Sequence, residues 1–308
     1  MSKVTDMQTA IKRSLDDGQD VYLGGFTHLI PFAAGHEIIR QEYQGLNLIR
    51  ATPDLIYDRM IAAGCADKVT FSWAGNPGVG SLRAFRRAVE DGVPAPIEIE
   101  EYSHFGMVSR LAAGAQGLPF LPLKSYTGSD LIDTNDNIRT VTNPYEEGPT
   151  EIAVVPPLMP DVAIIHAQRA DESGNAHLWG ICGETIEAAF AADTVVLSVE
   201  ELVDGSVIRS DPNRTEIPQT TVDYVVKEPY GTHPSYVQGY YNRDNEAYLE
   251  WDTISETHES TVAWLEEWVY GTATHTEYLE KLGADRVLDL QPETNYAAPV
   301  NMGRYSNS

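Results

Sequence analysis

Val162-Ala163-Ile164-Ile165 is an apolar run without alternation, and Val195-Val196-Leu197-Ser198-Val199 repeats the pattern after one intervening helical stretch, Thr185 to Ala191. Such runs suit strands buried on both faces, and a helix between them makes a parallel crossover. The same alternation runs upstream. Asp6 to Leu15 reads as a helix with Asp6 as its cap, and Val21-Tyr22-Leu23 as a strand running into Gly24-Gly25. Helices over Phe32–Tyr43, from Asp54 through Ala63 and over Ser81–Glu90 alternate with strands at Leu46–Ile49, Val69–Trp73 and Ile97–Glu100. Ser103 starts a helix with an expected apolar stripe of Phe105, Val108, Leu111, Ala112 and Ala115, before an extended Leu118–Leu123. Downstream, Ala153-Val154-Val155 and Val222–Val226 read as extended, and Val262, Leu265 and Val269 mark a helix ending at Gly271. Thr274–Leu282 is a last helix before Gly283. This order predicts an α/β protein with a mostly parallel sheet covered by helices. Residues 1–290 are expected to form one domain, with 126–150 as a long polar loop and 291–308 as a tail.

The 308 residues carry 21 basic and 46 acidic side chains, a formal charge of −25. That balance argues against a general nucleic-acid binder, which needs clustered cations, and against docking on an anionic membrane surface. Six of the basic residues are Lys and fifteen are Arg. Dispersed carboxylates with few Lys suggest a protein adapted to concentrated salt, where screening removes self-repulsion. Cys65 and Cys182 make no disulfide framework and read as two small buried thiols. Met1 to Asp6 shows no apolar leader, and no apolar run reaches the roughly 18 residues of a membrane span, so the expected location is the cytoplasm.

Two glycine turns are compatible with a ligand. Gly24-Gly25-Phe26 ends the first long strand, where bare backbone lets a ligand approach. Gly75-Asn76-Pro77-Gly78-Val79-Gly80 joins a strand to a helix and can present N–H groups to a phosphate or oxyanion, although it matches neither the dinucleotide fingerprint nor the P-loop. Plain structural turns explain both equally well. None of the eight histidines belongs to a metal signature; His166 reads as a hydrogen-bonded core residue at a strand end. His104 follows the cap Ser103 in the first turn of its helix. The dipole there disfavours positive charge, and a neutral ring can donate to a developing oxyanion; a surface histidine is the plain alternative. No nucleophile elbow and no cysteine nucleophile is visible. Read from its residues alone, the chain names no reaction.

Further stretches carry a resemblance: Leu23-Gly24-Gly25-Phe26 with Pro31, Gly117-Leu118-Pro119-Phe120-Leu121-Pro122, Asp161 to Gln168, Leu178-Trp179-Gly180, Arg209-Ser210-Asp211-Pro212, Pro229 to Ser235, and Glu277 to Ala284. Together they resemble the A (alpha) subunits of family I coenzyme A transferases, of the glutaconate CoA-transferase kind. The resemblance implies an open α/β fold with helices on both faces and a B-type partner subunit, giving a hetero-oligomer. It places the nucleophilic Glu on that partner, where it forms an acyl anhydride and then a glutamyl-CoA thioester. Coenzyme A is a substrate, and neither cofactor nor metal is implied. It also implies that this chain supplies oxyanion stabilisation and part of the acyl pocket. His104 takes the place of a Gln common in relatives, and Gly24, Gly25, Phe26, Asn76, Gly78 and Ser103 become candidate substrate-binding residues. The function expected is CoA transfer between an acyl-CoA and a carboxylic or dicarboxylic acid. The alternatives are a ring-opening CoA-ester hydrolase on the same scaffold and a non-catalytic CoA-ester-binding subunit.

Overall fold

The computed structural model describes residues 2–76 and 78–292, and within them the alternation becomes one ten-stranded sheet and one small three-stranded sheet. In chain order the first half runs β1 (Val4–Thr5), α1 (Met7–Ser14), β2 (Asp20–Leu23), α2 (Phe32–Arg40), β3 (Leu46–Ile49), α3 (Leu55–Ala62), β4 (Ala66–Phe71), α4 (Arg83–Glu90), β5 (Glu98–Glu101) and α5 (His104–Ala115). Next come β6 (Leu121–Leu123), α6 (Leu131–Thr134), β7 (Arg139–Thr142) and β8 (Glu151–Val155). The second half runs β9 (Val162–Ala170), β10 (Ala176–His177), α7 (Thr185–Ala191), β11 (Thr194–Leu202), α8 (Gly205–Ser210), β12 (Thr215–Ile217) and β13 (Tyr224–Lys227). It closes with α9 (Asn245–Ile254), α10 (His258–Leu265), a π turn over Glu266–Tyr270, α11 (His275–Leu282) and α12 (Ala284–Asp289).

Strand order in the main sheet is β1-β13-β11-β9-β2-β3-β4-β5, parallel along the whole path, with the short β10 and β12 added antiparallel. From β2 the chain winds outward through β3 and β4 to β5, whereas β9, β11 and β13 lie on its other side. The boundary between β2 and β9 is therefore a topological switch point, where open α/β sheets leave a crevice at the carboxyl ends of the strands.

Alternation within each strand fills two cores. Val21, Leu23, Val162 and Ile164 face one, packed by α1, α2, α3 and the carboxy-terminal helices; Tyr22, Ala163, Ile165 and Ala167 face the other, packed by α5 and α7. Both faces are dry, as the unalternating runs predict. Side-chain caps hold the predicted helix starts: the Asp6, Asp54, Ser103 and Thr274 side chains accept from Thr9, Ile56, Gly106 and Glu277 N–H.

Several expectations change. On α5 the buried residues include Met107, Arg110 and Leu111, while Phe105 is exposed. The face is turned by Arg110, which pairs with Glu100 at 3.1 Å, lies 4.4 Å over the Tyr102 ring and donates to Pro156 O. Residues 126–150 are not a plain loop: they carry α6 and β7, and β7 pairs with β8, which pairs with β6. The β4 strand stops at Phe71, so Trp73 lies beyond the sheet. His166 sits inside a longer strand rather than at its end. Cys65 is buried, but Cys182 is only half-buried. The predicted tail lies almost wholly outside the described residues, as does Pro77. Among the described residues no helix is long and apolar enough to cross a membrane.

Candidate active site

Four parallel strands end at one place. The chain leaves β2 through Phe26 and Thr27, β3 through Thr52 and Asp54, β4 through Trp73, Gly75 and Asn76, and β5 into His104. With Arg243 and Tyr248 from the start of the α9 region, these residues line a cleft of about 330 Å³. A second, more open recess of about 420 Å³ adjoins it through Trp73, Gly75 and Asn76, and continues past Gly78.

Buried Arg50 stitches the floor together. Its guanidinium pairs with Asp54 at 2.8 Å and donates to the carbonyls of Thr52 at 2.8 Å and Gly24 at 3.4 Å. The β2 loop is tightly turned. Gly25 has φ +92°, and a Cβ there would lie 2.4 Å from His28 O, so glycine is required. Thr27 and Leu29 also have positive φ, at 57° and 58°. Such backbone is costly for β-branched and bulky residues and persists where its surroundings over-determine it. His28 anchors the turn from behind. Burial pushes its ring down to about 3, and its Nε2 accepts from Gln238 N–H at 3.0 Å.

Asn76 is 3% exposed, and neither its amide nitrogen nor its oxygen has a hydrogen-bond partner among the described residues. A buried amide left unmatched costs about 1–3 kcal/mol, so a native fold rarely keeps one without a use. Trp73 lies over Gly75, where a Cβ would come within 2.7 Å of the indole, and the residue is 44% exposed. His104 is exposed at the lip of the cleft. Its helix start is fixed by Ser103, and by Tyr126, whose hydroxyl accepts from Ser103 N–H and packs where a Cβ on Gly106 would stand. Beneath the lip, Glu184 accepts from Ala51 N–H at 2.8 Å. Burial raises its carboxyl, which Ala51, Arg50 and His104 partly offset.

Of the seven sequence candidates, Phe26, Asn76 and His104 converge on the cleft, and Gly78 borders the adjoining recess. Gly24 and Gly25 are buried behind the wall, and Ser103 acts as a helix cap; none of the three lines either space. Trp73, Arg243 and Tyr248 carry no mark in the sequence. Trp73 reads as a strand end, and Arg243 falls in a polar stretch without period.

The cleft offers donors but no available carboxylate. Asp54, its one lining carboxylate among the described residues, is engaged by Arg50 and by Ile56 N–H. Burial pushes the Cys65 and Cys182 thiols up to about 12 and about 11, so neither is a thiolate near neutrality.

Residues 4–228 match the family described as Coenzyme A transferase. The chain is 47% identical over 282 residues to the A subunit of the 3-oxoadipate CoA-transferase of Pseudomonas knackmussii, covering 92% of this chain and 99% of that one. It is 35% identical to the A subunit of the glutaconate CoA-transferase of Acidaminococcus fermentans, covering 94% and 95%. The crystal structure of glutaconate coenzyme A-transferase from that organism superposes with a TM-score of 0.90, covering 95% of this chain and 96% of that one. A cholesterol ring-cleaving hydrolase IpdA subunit from Rhodococcus jostii is 31% identical over 75% of this chain and 82% of its own length. A fold wound around the β2–β9 switch point, a donor-lined cleft at its strand ends, and this extent of likeness lead to one conclusion: the chain belongs to the Coenzyme A transferase family.

Proposed function

We propose that this chain is the A-type half of a two-subunit CoA-transferase, and that its cleft holds the acyl group and stabilises the oxyanion while a B-type subunit brings the nucleophilic Glu. The observation that carries this reading is the cleft's composition. Asn76, whose buried amide has no partner among the described residues, and His104 line a space whose single lining carboxylate among the described residues is already paired.

In this scheme the partner's carboxylate oxygen attacks the thioester carbon, and negative charge collects on the former carbonyl oxygen. Amide and imidazole donors placed there stabilise that charge, typically worth roughly 10²–10³ in rate for each. The CoA thiolate leaves, and an acyl-glutamyl anhydride remains. The thiolate then attacks the glutamyl carbonyl and expels the acyl group as a free carboxylate. The resulting glutamyl-CoA thioester passes CoA to a second acid by the reverse steps. Coenzyme A is the substrate throughout, and the scheme needs no metal or redox cofactor. The two relatives named for their acids, 3-oxoadipate and glutaconate, support a dicarboxylic acyl group as substrate.

The test supplies the assembled complex with acyl-CoA and acetate. Acetyl-CoA formed in proportion to acceptor is the expected product. Free acid plus CoA without acceptor dependence would establish the hydrolase alternative, and binding without turnover the non-catalytic one. The charge of −25 and scarcity of Lys further support a protein working in the cytoplasm of a salt-rich cell.

A further inference from the structure

We infer that Trp73 sets the length limit of the acyl group, as a wall between the cleft and the recess beside it. The inference rests on the transferase reading above and deepens it.

Three described residues line both spaces: Trp73, Gly75 and Asn76. Gly75 has no side chain, and Asn76 is buried, whereas Trp73 is 44% exposed. Among the described residues the indole is therefore the side chain that stands between the two spaces. The wall is seated on fixed backbone. Trp73 N–H donates to Ala51 O at 3.1 Å, Gly75 N–H to Pro53 O at 3.0 Å, and the Ser72 hydroxyl to Ala51 O at 2.6 Å. The far edge of the indole lies directly against Gly75, where a Cβ would stand 2.7 Å from Cη2 and 2.9 Å from Cζ2. Any side chain at position 75 would push the ring off its seat.

The cleft holds about 330 Å³, near the small end of the range for ligand pockets, roughly 300–1,000 Å³. Beyond the indole lie about 420 Å³ more, running past Gly78 to Leu82 and Phe85 at the start of α4. Those two side chains offer apolar surface to further methylene groups. A chain that outgrows the cleft meets the indole before it reaches that surface. One methylene too many in a pocket typically costs roughly 10–200-fold in kcat/KM. Removing the indole joins the two spaces, and the same chain can run on. Phe26 and Tyr248 line the cleft alone, so neither ring divides it from the recess.

The experiment uses the complex with its B-type partner, acetate as acceptor, and two donor series, butanoyl- to decanoyl-CoA and succinyl- to sebacyl-CoA. Within the series it accepts, the wild-type complex is expected to lose about 10²-fold or more in kcat/KM from the shortest donor to the longest. Trp73→Ala should shrink that loss by at least tenfold, and Trp73→Phe should fall between the two. A wild-type complex indifferent to chain length overturns the inference without any variant. Variants that keep the wild-type length profile overturn it as well, whatever their absolute rates. Should Trp73→Ala fail to assemble, the Trp73→Phe profile alone decides. Absence of transfer from every donor by the wild-type complex would instead overturn the transferase reading.

Discussion

Two polar clusters in this molecule hold similar residue types and have opposite character. The first lies between β9 and β11, where His166 contacts Ser198 and Glu200, each at 2.8 Å. Glu200 also accepts from the Tyr241 hydroxyl at 2.7 Å and from Tyr230 N–H at 2.8 Å, and Tyr241 meets Thr232 at 2.7 Å. Serine, histidine and a carboxylate in contact suggest a hydrolase, but His166 and Ser198 are wholly buried and the polar atoms answer one another. The second cluster is the cleft at the ends of β2 to β5. There Asn76 is also buried, yet both ends of its amide lack a described partner, and a cavity opens beside it. Satisfaction and access, rather than residue type, separate a structural network from a site.

Substitutions should divide along that line. Asn76→Ala and His104→Ala in the assembled complex are expected to cut kcat by about 10²–10³, with melting temperatures close to wild type. Equal losses of stability and rate would place both residues on the structural side. In the network the pattern reverses. Glu200→Ala leaves His166, Tyr241 and Tyr230 N–H without their shared acceptor and should cost about 3 kcal/mol of folding stability, read from denaturant titration. Full turnover at low temperature should remain; a fall in kcat with unchanged stability would make the network catalytic. The smallest effect separates surface from interior. Raising KCl to multimolar concentration should raise the melting temperature of wild type and Glu200→Ala alike, since counterions reach only exposed carboxylates. Identical melts at low and high KCl would remove the salt-adaptation reading.

Part of this contrast is legible in the sequence. The doubly buried strands announce the sheet, and the caps at Asp6, Asp54 and Ser103 place three helix starts, because both signals are local. The Asn76 turn and His104 are readable for the same reason: each follows directly on a predicted strand. What stays hidden is tertiary. Gly24 and Gly25 look ligand-facing, but their place behind the wall depends on Ile164, Thr185 and Arg50 packing from other segments. Phe105 looks like core until Arg110 takes the buried face through Glu100 and Tyr102. The β9 strand runs through His166 and Gln168 because each polar side chain finds a partner across the sheet or on Trp179, which no pattern along the strand reveals. Arg243 reaches the cleft from a segment far along the chain, with no periodicity to mark it.

In the proposed scheme this polypeptide shapes the cleft and another chain supplies the attacking carboxylate. The direct measurement is CoA transfer by the purified chain alone and again after its B-type partner is added. No turnover alone and full turnover with the partner is the result expected; transfer by the single chain, through a glutamate of its own, would contradict it.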